Sequence, residues 1–545
     1  MKADQPQINL FTLVRGVTLR KINAAVNKNR LIKYLPVLLM VIIFFVAMHP
    51  STSFAQTADP SGTHTGTIKD VPAAKVGSPT LNEVADTVGH NKIAINIMWT
   101  LLTGFLVMFM QVGFAMVETG FTRAKNVAHT MAMNIFIYIL GITGFWICGF
   151  AFMFGGVGAV SSLGGTPGLT HEVTIHLFGK DFGIIGAAGY FLNSKVYDVG
   201  VFTLFLFQMV FMDTAATIPT GAMSERWKFK AFAVYGLFIS MFVYPIFGNW
   251  VWGGGWLANL GTNFGLGHGH VDFAGSSVVH LVGGVAALAG VIVLGPRLGK
   301  YNKDGSANTI PGHNIPMAVV GTLILAFGWF GFNPGSTLSG TDLRIAIVAT
   351  NTMIASASGG LFATLYMWIK YKKPEVGVMG NGLLGGLVAI TAPCAFVNAT
   401  SAFIIGGIAG LLVVTSTFFI DQKLKLDDPV GAIAVHGVCG YWGVLALGLF
   451  ADGQYGEGWN GVKGTVTGLF YGDASQFVAE FIGGTTCIVF VFTVMFIFFK
   501  ICDKAMGIRS READEIIGLD ENEIGLKGYD NDIQPVEHAQ ITNLV

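Results

Sequence analysis

Charge is scarce in this chain. Only 12% of its 545 residues are Asp, Glu, Lys or Arg, where a soluble domain carries about a quarter, and the shortfall excludes a water-solvated globule. The charges that are present balance, 32 Lys and Arg against 32 Asp and Glu, so the basic excess expected of a nucleic-acid partner is missing. Cysteine is scarce too: Cys148, Cys394, Cys439 and Cys487 lie inside apolar segments and Cys502 lies just beyond one. None stands at CxxC or metal-ligand spacing, so neither a disulfide framework nor a thiolate metal site is implied; all five read as packing residues. No phosphate-cradling glycine loop and no catalytic-triad pattern occurs, so neither an enzyme nor a cofactor is expected. The short alternating segments of a transmembrane β-barrel are missing as well.

What is abundant is apolar length. Hydrophobic residues make up 52% of the chain, gathered into runs of roughly the 20 residues that a bilayer-crossing helix needs. The 73 glycines suit close helix–helix approach in lipid. The reading is an all-α polytopic membrane protein with eleven spans, near 93–117, 132–156, 199–222, 230–251, 273–295, 315–333, 344–369, 377–392, 399–420, 430–451 and 477–500. Ahead of them, a basic region (Arg15 to Lys33), a short apolar run (Leu35–Met48) and a small-residue site at Ser53-Phe54-Ala55 predict a cleaved signal peptide over 1–55. Residues 56–90 read as an exported polar linker, 91–500 as the membrane domain and 501–545 as a cytoplasmic tail. That tail holds ten acidic against four basic residues, which predicts a solvated segment, although the Gly518-Leu519-Asp520 turn and Tyr529 point to local order.

Orientation follows from the positive-inside rule. With the first span entering from outside, the inner loops hold Arg123 and Lys125; Arg226, Lys228 and Lys230; Arg297, Lys300 and Lys303; Lys370, Lys372 and Lys373; Lys423 and Lys425. The outer loops hold only Lys180, Lys195, Arg344 and Lys463 over a longer length. An N-out, C-in chain in a cytoplasmic membrane is expected.

Within this frame one pattern occurs twice. Asp272 is followed eight residues later by His280, and Asp428 eight residues later by His436. The first helix runs inward and the second outward, so the pattern is read in opposite directions through the bilayer. That is the mark of an inverted repeat, spans 1–5 against spans 6–10, with the last helix outside it. Eight helical residues rise about 12 Å, which brings both imidazoles near the midplane of a core about 30 Å thick. Ionisable residues at that depth are costly and usually functional. The aspartates are read as helix-start caps rather than chemical groups. A metal site is not expected, because no carboxylate or thiolate stands at ligand spacing beside either histidine.

The segments DFAGSSVVH and DDPVGAIAVHGVCGYWG, with FLFQMVF (205–211), MSERWKF (223–229), VWGGGW (251–256), GWFGFN (328–333) and TAPCAFV (391–397), resemble the Amt/Mep/Rh ammonium transporters, nearest the bacterial Amt type. The resemblance runs from about residue 93 to about 529. It implies an outer substrate-binding cage at Phe211, Trp252 and Ser336, where aromatic faces attract a cation and a hydroxyl accepts from ammonium. It also implies a Phe207–Phe211 gate and a pore carrying His280, His436 and Trp329. His268 and His270, in the long loop before Asp272, are expected to be exposed. A homotrimer and a PII-type regulator at the cytoplasmic face are implied as well, although Ile524 stands in the tail where the family commonly has histidine.

On this reading NH4+ is captured outside, loses its proton and passes as NH3 along the histidine pair, with or without a separate proton relay. Two alternatives stand beside it. One is an ammonium sensor signalling through its tail, disfavoured here because the chain reaches Val545 with no fused signalling domain. The other is a neutral-gas channel for NH3 or CO2, disfavoured by the aromatic cage.

Overall fold

The computed structural model describes residues 59–65, 82–165 and 168–529. The expected signal peptide and part of the expected linker lie outside them. Among the described residues, ten helices are long and apolar enough to cross a membrane, and Val376–Ile390 is a shorter apolar helix. In chain order these are α1 (Asn82–Phe121), α2 (Ala124–Phe154), α3 (Val199–Ala222), α4 (Phe229–Trp252), α5 (Ser276–Leu294), α6 (Ile315–Thr337), α7 (Ile345–Tyr371), α8 (Val376–Ile390), α9 (Ala399–Gln422), α10 (Ile433–Phe450) and α11 (Ala474–Met506). An antiparallel hairpin, β1 (Glu172–Leu177) and β2 (Lys180–Gly186), sits between α2 and α3.

Each helix matches one expected span. The main difference is in α1, which starts at Asn82 and so takes in the last residues of the expected linker. It also ends four residues beyond the expected boundary of 117, and this places Glu118 on the helix. Helix starts are capped by side chains whose oxygens accept from the free N–H groups of the first turn: Asp198 for α3, Glu375 for α8, Asn398 for α9 and Asp473 for α11.

The packing repeats with a period of five helices. α2 lies on α3 and α4 as α7 lies on α8 and α9; α1 meets α3 as α6 meets α8; α3 meets α5 as α8 meets α10. The two halves join through α1 against α6 and α5 against α10, and α11 covers α5 and α10 from outside the repeat. Glycine permits these approaches. A Cβ on Gly120 would lie 2.6 Å from the Ala318 nitrogen, and one on Gly284 would lie 2.2 Å from the Gly437 nitrogen. In lipid, where apolar burial does not drive helices together, such backbone contact supplies the packing.

The repeat extends to the local chain. Three residues after each aspartate comes a glycine with positive φ, Gly275 (+114°) and Gly431 (+78°), a region open to glycine because it has no Cβ. A π-helical turn follows in both copies, Ser276–Leu281 and Ile433–Val438, and each contains the histidine.

At the end of the bundle where the basic loops meet, Arg297 forks onto Asp427 through Nε (2.8 Å) and Nη2 (2.9 Å) and reaches Glu225 through Nη1 (2.7 Å). Glu225 also accepts from Arg123 and, at 3.1 Å, from Asn126. Arg226 donates to the Asp427 carbonyl at 2.6 Å. Burial opposes ionisation of Asp427, yet Arg226 and Arg297 hold its carboxyl below the usual range. The described tail crosses this same end: Ser510 N donates to Arg226 O (2.9 Å), Leu298 N to Glu515 (2.7 Å), His129 N to Asp520 (2.9 Å), and Tyr529 meets His313 at 2.8 Å. The solvated tail expected from its acidity is therefore docked through residue 529.

Candidate functional site

Asp272 organises the start of α5. Its Oδ1 accepts from Gly275 N (2.8 Å) and Ser276 N (2.9 Å), and its Oδ2 from Ser277 N (2.7 Å), Ser277 Oγ (2.7 Å) and Val278 N (3.0 Å). Asp428 repeats the arrangement for α10, accepting from Gly431 N (2.9 Å) and Ile433 N (2.8 Å). Each aspartate thus accepts from the N–H groups that open a histidine-bearing turn.

The histidines meet. His280 Nδ1 and His436 Nδ1 are 3.1 Å apart, and both rings are buried. One Nδ1 must donate and the other accept, so the neutral pair holds opposite tautomers and presents one Nε2 acceptor and one Nε2–H donor.

A column of rings runs from this pair toward the end of the bundle opposite the ion cluster. His280 stacks at 5.2 Å on Trp329 and at 5.3 Å on Phe332; Phe332 stacks at 4.1 Å on Phe211; Phe211 meets Trp252 edge-on at 6.2 Å. Phe207 packs against Phe211 at 4.6 Å. Trp252 Nε1 donates to the Asp272 carbonyl (2.6 Å), and Trp329 Nε1 to Thr391 (3.0 Å), so both indoles are held in place. Half-buried Ser336 lies one turn beyond Phe332 and donates to the Phe332 carbonyl at 2.8 Å, which leaves its lone pairs free to accept. On the other side of the pair, Phe114 lies 6.1 Å from His436. A cavity there is lined by Phe114, Glu118, Asn381, Leu384, Val430 and His436.

Every residue expected at the site thus falls on or beside one column, from Trp252 and Ser336 through Phe211, Phe207 and Trp329 to His280 and His436. Phe332 was not expected, yet it bridges Phe211 and His280. Its signal lay in GWFGFN, where it stands three residues after Trp329 and so on the same helix face.

His268 and His270 are not exposed as expected but buried, at 5% and 0%. Gln476 and Glu480 of α11 enclose them: Gln476 accepts from His268 N at 2.8 Å, and Glu480 Oε2 lies 2.6 Å from His270 Nδ1. His270 Nε2 meets Ser277 Oγ at 2.9 Å, and that hydroxyl donates onward to Asp272. The Nε2–H therefore donates to Ser277, and Nδ1 pairs with the Glu480 carboxylate when the ring carries its imidazolium charge. Burial opposes that charge, but the carboxylates of Glu480 and Asp272 raise the His270 pKa above its ordinary value. Among the described residues no group of three or more His, Cys, Asp or Glu side chains could hold a metal ion.

The inverted five-helix repeat with its surplus outer helix defines a polytopic membrane protein of the secondary-transporter kind. The Ammonium Transporter Family model matches residues 98–529, and the chain belongs to that family. Ammonium transporter Amt2 of Archaeoglobus fulgidus is 45% identical over 451 residues, covering 82% of this chain and 91% of that protein. A putative ammonium transporter of Synechocystis sp. is 36% identical, covering 78% and 87% respectively. Among solved structures, a sensor Amt protein superposes with a TM-score of 0.69 at 36% identity, over 79% of this chain and 99% of its own. Mep2 of Candida albicans superposes with a TM-score of 0.64 at 25% identity, over 77% and 87%.

Proposed function

We infer that the protein takes up ammonium across the cytoplasmic membrane, with the Trp252 end of the ring column outside and the ion cluster and tail inside. NH4+ is recruited at Phe211, Trp252 and Ser336, where ring faces attract the cation and the Ser336 hydroxyl accepts an N–H. A bare cation in the apolar column would carry a desolvation cost of several kcal/mol. The proton is therefore given up beneath the cage, and NH3 passes the Phe211–Phe332 stack and moves along the histidines. The observation that carries this reading is the His280–His436 contact at 3.1 Å, buried at the end of an aromatic column. Its opposite tautomers offer NH3 a donor and an acceptor and offer a proton a path from one Nε2 to the other. In keeping with family membership, we extend the reading to a homotrimer with one pore per subunit and to a docking place for a PII-type regulator on the face where the tail lies.

The test is purified protein in liposomes, with ammonium-evoked current and internal pH recorded together. Uptake predicts both signals. A pH change without current identifies an NH3 channel, and the absence of either signal overturns the transport reading. The sensor reading is favoured by one observation, the 36% identity to a sensor Amt protein. Binding of ammonium without flux would establish it.

A further inference from the structure

Glu118 is a carboxylate on the inner part of α1, 3% exposed, and the histidine pathway makes no use of it so far. It accepts from Asn134 Nδ2 at 2.7 Å and from Thr220 Oγ1, which lies 2.7 Å from both of its oxygens. Asn134 and Thr217 are held in turn by Gln111, whose Nε2 lies 3.2 Å from Asn134 Oδ1 and 3.0 Å from Thr217 Oγ1. These donors fill about half of the four lone-pair sites of a carboxylate. Glu118 also lines the cavity that begins at His436 and is otherwise walled mostly by Phe114, Val117, Leu325, Leu384 and Val430. The last histidine of the column and one acidic oxygen-bearing side chain therefore share a largely apolar chamber at the inner end. Packing alone would be served more cheaply by an apolar side chain, because burying a carboxyl costs free energy even when it is hydrogen-bonded.

We propose that Glu118 is the acid in this chamber that returns the proton to NH3. The proton released at the outer site passes through the His280–His436 pair and joins the Glu118 carboxylate, forming its O–H bond. NH3 arriving in the chamber takes that proton: the O–H bond breaks, the fourth N–H bond forms, and the cation leaves. Glu118 ends as it began, and no further reactant is needed. The inference rests on the transport reading and assigns the residue that completes it.

The experiment is ammonium-evoked current in proteoliposomes across a series of internal pH values, for wild type, Glu118→Gln and Glu118→Asp. Glutamine keeps the shape and an accepting oxygen but carries no exchangeable acid proton. Its current is expected to fall about a hundredfold, the scale of one lost acid–base group, while Glu118→Asp restores part of it with a displaced pH profile. Should Glu118→Gln fail to fold, Glu118→Asp decides: a wild-type profile in that variant overturns the proposal. A wild-type current with Glu118→Gln equal to it and unchanged in pH profile reduces Glu118 to an interhelical hydrogen-bond acceptor. A wild-type protein without current removes the transport reading, and this one falls with it.

Discussion

Asp272 shows how much one buried side chain organises at the residue scale. Its two oxygens take five donors at the start of α5, and its carbonyl holds Trp252. Asp272→Ala leaves those backbone N–H groups unmet. It should lower stability by about 2 kcal/mol or more, the upper range for a lost cap, read as a lower midpoint of thermal unfolding in detergent. The same change at Asp428, with fewer donors, should cost less. The two aspartate–histidine spacings were legible in the linear sequence because they rest on counting alone. His268 and His270 were not: GHGH (267–270) reads as an open turn, and the α11 side chains that bury it lie some 200 residues away in the chain. Glu118 escaped notice because the apolar run ends at Val117 while the helix goes on to Phe121.

At the scale of elements, the eleven helices could be read from apolar length and loop charge, since the bilayer imposes both. The π-helical turns could not, because one extra residue per turn leaves composition unchanged; they matter because they bring the two imidazoles into register. The β1–β2 hairpin lacked an alternating signal, as its first strand is exposed along most of its length. It carries a testable pH response. Burial raises the Glu172 carboxyl to about 7, against the opposing hydrogen bond from Asn249. A carboxyl whose folded pKa is raised stabilises fully below its unfolded value and loses that contribution as pH rises through the folded one. Hydrogen exchange in residues 172–186, corrected for intrinsic rates, should therefore be faster at pH 8 than at pH 6, and Glu172→Gln should remove the difference.

Across the whole molecule, the basic loops serve two purposes. Arg123, Arg226 and Arg297 are among the cations from which the positive-inside rule predicts the inner side, and they tie the loops after α1, α3, α5 and α9 into one buried ion cluster with Glu225 and Asp427. Arg297→Met takes the side-chain fork from buried Asp427 and leaves Glu225 to Arg123 and Asn126, and it should destabilise the fold by about 3–5 kcal/mol, seen as a loss of monodisperse protein on extraction or a large drop in unfolding temperature. Glu225→Gln should cost less, because it leaves the Arg297–Asp427 fork intact. Loop charge predicts an orientation from sequence, but which cation meets which anion depends on the five-helix repeat closing on itself.

The central claim is that ammonium crosses along the His280–His436 pair. It is tested most directly by comparing ammonium flux and NH4+/K+ selectivity of wild type and His280→Ala in the same proteoliposomes, with unfolding temperature confirming that both are folded. The account predicts that the variant loses most ammonium flux or admits K+. Full wild-type flux with unchanged selectivity would contradict it.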